Sequence, residues 1–155
     1  MNTPADDLDR IMQVMSAAFD PAYGEAWNRR QVEDAVLLGT SHYRLISARG
    51  ADPDPDEPAA GFFLARRGYE EQELLLLAVD PSFRRRGLGS QLIESLRETA
   101  RKQGSLRLFL EMRRGNPAER LYCNCGFQMI GTRPGYYRAG DGSRIDALTF
   151  VLEPI

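Results

Sequence analysis

A short segment of this chain combines arginines and glycines in a pattern suited to binding an anion. It runs from Val79 to Ser90 with the sequence VDPSFRRRGLGS. The glycines let the backbone approach a ligand closely, and an amphipathic helix is predicted to begin among them. The first turn of a helix leaves N–H groups unpaired at the positive end of its dipole, where a pyrophosphate is stabilised. Arg84, Arg85 and Arg86 add positive charge, so the segment predicts a phosphate-binding loop.

The same segment argues against two nucleotide-binding patterns and leaves one plainer alternative open. No GK[ST] follows the glycines, as it does in a P-loop, and the Gly-x-Gly-x-x-Gly of a Rossmann fold is absent. The pattern therefore indicates neither an ATP site nor an NAD site. A turn with a solvated basic face would carry the same run of arginines, and on this segment alone both interpretations stay open.

Hydrophobic periodicity predicts the elements that position the loop. Apolar residues at helical spacing predict a helix from Leu8 to Phe19, a second from Asn28 to a stop at Gly39, and a third from Leu88 that Gly104 ends. HYRLISA, AAGFFLARR, ELLLLAVD and LRLFLEM are strand-like, and the wholly apolar ELLLLAVD is typical of a central strand covered on both faces. The strand, helix, strand order predicts parallel neighbours joined by a right-handed crossover, with a ligand crevice at their carboxyl ends.

The last third of the chain predicts a short helix and a closing hairpin. Pro117 suits a first helical turn and Gly126 a helix stop. FQMIGTRPGYYR and RIDALTFVLEP are strand-like and are joined by AGDGS, a strong turn signal.

Composition predicts one globular domain over residues 1–155 of the 155-residue chain. The apolar content is 43%, and the chain has no run of about 18 apolar residues that could span a bilayer. The acidic start MNTPADDLDR lacks the pattern of a secretory signal. A cytoplasmic protein without a membrane partner is therefore expected. The net charge of -2 disfavours nucleic acid as the main partner. Cys123, Cys125 and the single His42 cannot complete a zinc site, so no metal is expected.

The loop resembles a known family. Arg84-x-x-Gly87-x-Gly89, preceded by Ala78-Val79-Asp80-Pro81, is similar to the acetyl-coenzyme A motif of the GNAT acetyltransferases. The resemblance implies acetyl-coenzyme A as cosubstrate, with its pyrophosphate on the loop and its pantetheine arm along the preceding strand. It also implies an α/β GNAT fold: a mixed, mostly antiparallel sheet with a splayed parallel pair at the cofactor site, flanked by helices on both faces. The cofactor-binding residues would be Ala78, Val79, Arg84, Arg85, Arg86, Gly87, Leu88, Gly89, Ser90, Asn116 and Tyr122.

Later segments resemble one subgroup, the RimI-like ribosomal-protein alanine acetyltransferases, which acetylate protein N-termini. The matching positions follow in sequence order: Leu110-Glu111-Met112-Arg113, Asn116, Leu121-Tyr122, Gly126-Phe127, Gly135-Tyr136-Tyr137-Arg138, Asp141-Gly142 and Asp146-Ala147. An N-terminal aromatic of the subgroup corresponds to Trp27. One departure is that the stretch from Asn116 to Tyr122 is one residue shorter than usual.

Transfer to an amine calls for a base that removes the amine proton and an acid that protonates the leaving thiolate. Glu111 is the expected base, directly or through water, since it ends a parallel strand at the crevice; its alternative role is a salt bridge to an arginine such as Arg113. Tyr122 is the family's acid, and its alternative role is packing under the helix. Glu71 and Glu73 are rival bases.

The acceptor is less well defined. Trp27, Tyr136 and Tyr137 are expected to line the acceptor slot, although strand aromatics also serve in packing. Cys123 and Cys125 are expected to pack rather than act as nucleophiles, and His42 is expected to be structural.

Three functions therefore stay open. The aromatic slot favours a protein N-terminus as the acceptor, whereas an enzyme of the same fold could act on a small amine such as a polyamine, aminoglycoside or amino acid. A non-catalytic module that binds acyl-coenzyme A, or a basic-loop RNA-binding protein, is the alternative from another class. The sequence leaves both a monomer and a homodimer open.

Overall fold

Every segment that periodicity assigns to a helix or a strand forms that element in the computed structural model, which describes residues 4–155. Residues 1–3 of the expected domain lie outside the described residues. Two short 3₁₀ helices were not predicted, at Pro21–Tyr23 and Pro81–Phe83. The other elements are α1 Pro4–Ala18, α2 Arg29–Leu37, β1 Ser41–Ile46, β2 Gly61–Gly68, β3 Glu71–Val79, α3 Leu88–Lys102, β4 Arg107–Arg113, α4 Glu119–Asn124, β5 Gln128–Arg138 and β6 Arg144–Leu152.

The strands form one sheet in the order β1-β2-β3-β4-β6-β5. All neighbours are antiparallel except β3 and β4, which run parallel. This parallel ladder covers only Glu71–Leu74 against Arg107–Leu110. Beyond it both strands continue, to Val79 and Arg113, without pairing with each other. The sheet therefore splays open at the carboxyl ends of its parallel pair, as the expected fold class requires.

A β-bulge in β3 lies at the point where the two strands separate. Leu64 of β2 pairs with Leu76, while its neighbour Ala65 pairs with Leu74, so Leu75 is left without a partner in that ladder. An extra residue in one strand reverses the faces to which later side chains point. Leu74 accordingly packs in the core under α3, whereas Leu76 packs in the core under α1 and α2.

Helices cover both faces of the sheet. On one face, α3 buries a stripe of residues that includes Leu92 and Leu96, both 0% exposed, against Phe63 and Leu108. On the other face, α1 and α2 bury a second core, whose members include Ile11 and Val32. Burying a side chain of this size fully contributes about 1.5–3 kcal/mol, so these two layers hold the splayed strands in place.

The helix ends agree with the sequence in part. The predicted capping box is present, with Asn28 and Gln31 each bonded to the other's backbone. Helix α2 ends at Leu37, before Gly39, because Leu38 already takes an extended conformation. Helix α4 begins at Glu119, later than the predicted start at Pro117.

Among the described helices, none has the length and apolar character needed to cross a membrane.

Candidate active site

A cleft of about 990 Å³ opens where β3 and β4 separate. Its walls come from the second half of β3, the start of α3, the end of β4 and α4, together with β5 and the segment between α1 and α2. We call the end of β3 and residues 84–90 the cofactor half. The acceptor half consists of Tyr23, Glu25, Trp27, Glu111, Arg113, Tyr136 and Tyr137, all of which line the cleft.

The phosphate loop leads directly into an uncapped helix. Asp80 accepts a hydrogen bond from the Ser82 amide at 2.8 Å and so fixes the first turn of the loop. Gly87, at the N-cap of α3, has a φ of 74°, a left-handed conformation that glycine adopts without strain. No side chain caps the helix, so the N–H groups of its first turn are available to an anion.

The three arginines of the loop point to different places. Arg84 and Arg85, which the sequence predicts to bind pyrophosphate, line the cleft. Arg85 has a φ of 65°, a conformation that side chains other than glycine rarely adopt. Arg86 does not line the cleft; its guanidinium lies 5.3 Å from the centroid of the Phe83 ring. Of the three arginines predicted to bind the cofactor, Arg86 is the one that lies outside the cleft lining.

Gly89 lies where two helices approach closely. A Cβ atom added there would come within 2.8 Å of Leu121 Cδ2 in α4, shorter than carbon atoms tolerate. The sequence interpretation attributed this glycine to a close approach of the ligand. The structure adds a second reason, since Gly89 allows α4 and its Tyr122 to pack beside the start of α3.

The open edge of β3 suits an extended ligand. Residues 75–79 have no neighbour in β4, and Ala78 and Val79 line the cleft as predicted. An unpaired strand edge presents N–H and C=O groups to any extended chain beside it. Together with the uncapped helix and the two cleft arginines, this edge fits the amide-containing arm and pyrophosphate of acetyl-coenzyme A. Leu88, Gly89 and Ser90 complete this half, with Leu88 buried and Ser90 exposed.

Glu111 lies on β4 with its side chain half-buried in the cleft. Its Oε2 atom accepts a hydrogen bond from Thr149 Oγ1 at 3.4 Å and lies 3.3 Å from Nε of Arg133. The alternative role that the sequence left open for Glu111, a salt bridge to an arginine, is therefore present, but its partner is Arg133. Arg113, the arginine given as an example, pairs with Glu25 instead. Arg133 is 64% exposed, so water screens its ion pair with Glu111.

Tyr122, on α4, is 6% exposed and lines the cleft. Its ring meets that of Phe127 edge to face, with centroids 5.7 Å apart. Burial raises the pKa of the Tyr122 hydroxyl, and the nearby charge of Glu25 raises it further. The phenol therefore stays protonated at neutral pH and is able to donate a proton.

Asn116 lines the cleft, but its side chain is already engaged at both ends. Oδ1 accepts a hydrogen bond from the Ala118 amide at 2.8 Å, and Nδ2 donates one to Glu25 Oε2 at 3.0 Å. The first bond fixes the turn that leads into α4 and so into Tyr122. The geometry thus gives Asn116 a structural task in addition to any contact with the pantetheine arm.

The predicted acceptor residues come together at the other end of the cleft. Trp27, Tyr136 and Tyr137 all line it, and the two tyrosine rings meet edge to face at 5.1 Å. A bulge at residues 134–136 interrupts the pairing of β5 with β6. Burial, together with the charges of Glu111 and Glu25, raises the pKa of Tyr137 to about 12.

Gly135 holds this bulge in place. It has a φ of 62°, and its amide donates to Asp146 Oδ1 at 2.9 Å. The Pro-Gly pair within a predicted strand was the available signal for this bulge.

The sequence interpretation missed three residues of the acceptor half. Glu25 pairs with Arg113, and the Arg113 guanidinium lies 3.6 Å from the centroid of the Tyr23 ring. No local pattern marks these residues, because Glu25 and Arg113 are 88 positions apart in sequence. Only the fold brings the segment between α1 and α2 against the end of β4.

Of the other residues considered as bases or catalysts, Glu73 alone lines the cleft. Glu73 lines the cleft and pairs with Arg66, whereas Glu71 pairs with Arg107 outside it. His42 contacts Gln72 Oε1 at 2.7 Å and does not line the cleft.

Neither cysteine lines the cleft: Cys123 is exposed and Cys125 is half-buried. Within residues 4–155, no group of histidine, cysteine or acidic side chains could hold a metal ion.

Comparison with known proteins links this cleft to one family. The acetyltransferase (GNAT) domain matches residues 47–129. The [ribosomal protein bS18]-alanine N-acetyltransferase of Haemophilus ducreyi is 36% identical over 147 residues, covering 94% of this chain and 93% of that protein. An uncharacterised Mycobacterium leprae protein is 37% identical over 145 residues, and the match spans 88% of this chain but only 36% of that longer protein.

A solved structure has the same fold. The crystal structure of the ribosomal-protein-S18-alanine N-acetyltransferase from Escherichia coli superposes with a TM-score of 0.79 at 26% sequence identity. The superposition covers 99% of this chain and 92% of that one. The similarity therefore includes the cleft and all the elements that form it.

Proposed function

The chain belongs to the GNAT acetyltransferase family, and from that premise we propose that it transfers the acetyl group of acetyl-coenzyme A to the N-terminal α-amine of a protein. The acceptor we propose is an alanine-starting ribosomal protein, as in the relatives from Haemophilus ducreyi and Escherichia coli. The observation that carries the proposal is one cleft that combines an anion-binding helix start with Glu111, Tyr122 and an aromatic acceptor half.

Glu111 is proposed as the general base. An α-amine has a pKa of about 7.7–8.0, so a large part of it is protonated at neutral pH and must lose a proton before it reacts. The Glu111 carboxylate reaches into the cleft and is held by Thr149 Oγ1 on the neighbouring strand. It takes the proton directly or through one water molecule.

Tyr122 is proposed as the general acid. Acetyl-coenzyme A supplies the acetyl group as a thioester, and its departing sulfur needs a proton. The Tyr122 hydroxyl, kept protonated by burial, is suited to donate it. Its position on α4, which Gly89 allows to pack beside the cofactor half, supports this role.

The acceptor half supports a peptide terminus. Three aromatic side chains, Trp27, Tyr136 and Tyr137, give it broad apolar walls suited to a short peptide segment. A carboxylate, Glu111, lies among them to attract the terminal ammonium group. We further propose that residues 1–155 act as one domain, because all six described strands belong to one sheet. A ribosomal substrate would place the enzyme in the cytoplasm.

The experiment is acetyl transfer from labelled acetyl-coenzyme A to short peptides that differ only in their first residue. A polyamine and an aminoglycoside are included as small-amine acceptors. We expect selective labelling of alanine-starting peptides. Labelling of the small amines alone would replace the proposed acceptor while keeping the reaction. Tight binding of acetyl-coenzyme A with no transfer to any acceptor would instead favour a non-catalytic acyl-coenzyme A-binding module.

A further inference from the structure

Glu25 connects three separate parts of the cleft. It lies between the 3₁₀ helix Pro21–Tyr23 and α2. Its Oε1 atom accepts a hydrogen bond from Arg113 Nε at 2.7 Å, and its Oε2 atom accepts one from Asn116 Nδ2 at 3.0 Å. Both carboxylate oxygens are thus engaged, one with the end of β4 and the other with the turn that leads into α4.

Arg113 is a positive charge within the acceptor half. It is two residues beyond Glu111 on the same strand, so both side chains point to the same face of the sheet. Its positively charged guanidinium stacks on the Tyr23 ring. Without a partner, this cation would face the same cleft as Glu111, to which we propose that an ammonium group binds.

The Glu25–Arg113 pair is shielded from solvent more than the other ion pairs of the cleft carboxylates. Both of its side chains are only 11% exposed. By contrast, Glu111 and Glu73 pair with arginines that are 64% and 52% exposed. Water and salt therefore screen the Glu25–Arg113 interaction least. Removal of the Glu25 charge would leave the positive charge of Arg113 uncompensated inside the cleft.

We propose that Glu25 is a specificity-determining and positioning residue, which neutralises Arg113 so that a cationic amine can enter the acceptor half, and which holds the turn before Tyr122 through Asn116. This inference rests on the proposed function, because it takes the acceptor to be an amine that arrives as an ammonium ion. No covalent step is assigned to Glu25.

The effect of Glu25 on its neighbours supports this role. After burial, its charge is the next cause that raises the pKa of Tyr122, and it also contributes to the raised pKa of Tyr137. The field of the carboxylate therefore reaches both the proposed acid and the acceptor wall.

The test compares Glu25→Gln with wild type in steady-state transfer to an alanine-starting peptide. The amide keeps the size of the side chain but removes its charge. We expect the KM for the peptide to rise about 10-fold, which is the size of effect that loss of one strong charge interaction produces. The KM for acetyl-coenzyme A should change less than about 2-fold, because Glu25 lies in the acceptor half. Glu98→Gln, which removes an exposed carboxylate of α3 paired with Lys102, is the matched control.

Two further measurements separate the charge from a merely structural role. The double variant Glu25→Gln, Arg113→Gln removes both charges and is expected to bring the peptide KM back toward the wild-type value. The KM ratio of Glu25→Gln to wild type is also expected to shrink as pH rises above about 8, where the α-amine becomes neutral. An equally high KM in the double variant, together with a KM ratio that does not change with pH, would overturn the inference.

The outcomes distinguish this inference from the function on which it rests. If the wild-type protein acetylates no peptide, the proposed acceptor is wrong. If the wild type acetylates the peptide and Glu25→Gln does so with an unchanged KM, the proposed function stands and the role of Glu25 is wrong.

Should Glu25→Gln fail to fold in a thermal unfolding assay, the double variant is compared with wild type across the same pH range. The neutralisation role then predicts equal peptide KM values, and a KM raised about 10-fold at every pH would contradict it.

Discussion

The cofactor half of the cleft is assembled from neighbours in sequence, whereas the acceptor half depends on a contact between Glu25 and Arg113, which are 88 positions apart. In the first, one continuous segment supplies the strand edge, the arginines and the helix start. In the second, the segment before α2 meets the end of β4 through Glu25 and Arg113, while a bulge in β5 brings Tyr137 to the same place. The proposed cofactor site needs only one local backbone arrangement, whereas the residues proposed to recognise the acceptor are brought together only by the whole fold.

The largest effect is expected in the acceptor half, at Glu111. Glu111→Gln should lower kcat by about 10²-fold or more, because the amide cannot accept the amine proton. The matched variant is Glu73→Gln, another paired glutamate that lines the cleft. It should lower kcat by no more than about 3-fold, because it leaves the proposed base in place. A larger loss in Glu73→Gln than in Glu111→Gln would transfer the role of base to Glu73.

Tyr122→Phe should also lower kcat, by about 10²-fold, because the thiolate then leaves without a proton donor. The pKa of Tyr122 is raised by burial, so its hydroxyl remains protonated below pH 10, the usual value of a phenol. The wild-type kcat should therefore show no loss from ionisation of this tyrosine between pH 7 and 10, a range set by that same phenol value. A normal kcat at every pH in Tyr122→Phe would mean that Tyr122 packs under the helix and is not the general acid.

Within the cofactor half, the arginines provide a matched pair. Arg84 lines the cleft and Arg86 does not, although they differ by only two positions. Arg84→Gln should raise the KM for acetyl-coenzyme A about 10-fold, the worth of one hydrogen bond to a charged group. Arg86→Gln should leave this KM within about 2-fold of wild type, since it removes no such bond. Equal effects of the two substitutions would mean that general positive charge, rather than the loop geometry, attracts the ligand.

A smaller effect is expected where the cofactor half meets α4. Gly89→Ala should raise the KM for acetyl-coenzyme A by no more than about 3-fold, because its new Cβ would displace the end of the Leu121 side chain. Leu121→Ala in the same chain should relieve the contact and restore part of the affinity. If Gly89→Ala binds acetyl-coenzyme A as wild type does, the packing account of this glycine is wrong.

The sequence predicts the cofactor half and the order of elements well, for a physical reason. The loop from Arg84 to Ser90 is local, and its glycines and helix start leave few alternatives. Two details of this region were not predicted. The Arg86 guanidinium packs on the Phe83 ring, and the bulge at Leu75 lies within a continuous apolar run that gives no sign of it.

The acceptor half was predicted less completely. Trp27, Tyr136 and Tyr137 came from the family resemblance and do line the cleft. The sequence did not indicate a role for Glu25, because a single acidic residue between two helices forms no recognisable motif until its partner is known. For the same reason the sequence offered the nearby Arg113 as an example of an arginine that could pair with Glu111, whereas Arg133 reaches Glu111 from another strand.

The most direct test of the account asks which amine receives the acetyl group. Wild-type protein is given acetyl-coenzyme A and an alanine-starting peptide that also contains one lysine, and mass spectrometry locates the product. A second peptide, identical except for a blocked N-terminus, serves as the control. The account predicts acetylation of the free α-amine alone and no product from the blocked peptide. Acetylation of the lysine side chain in both peptides would contradict the account of the acceptor half.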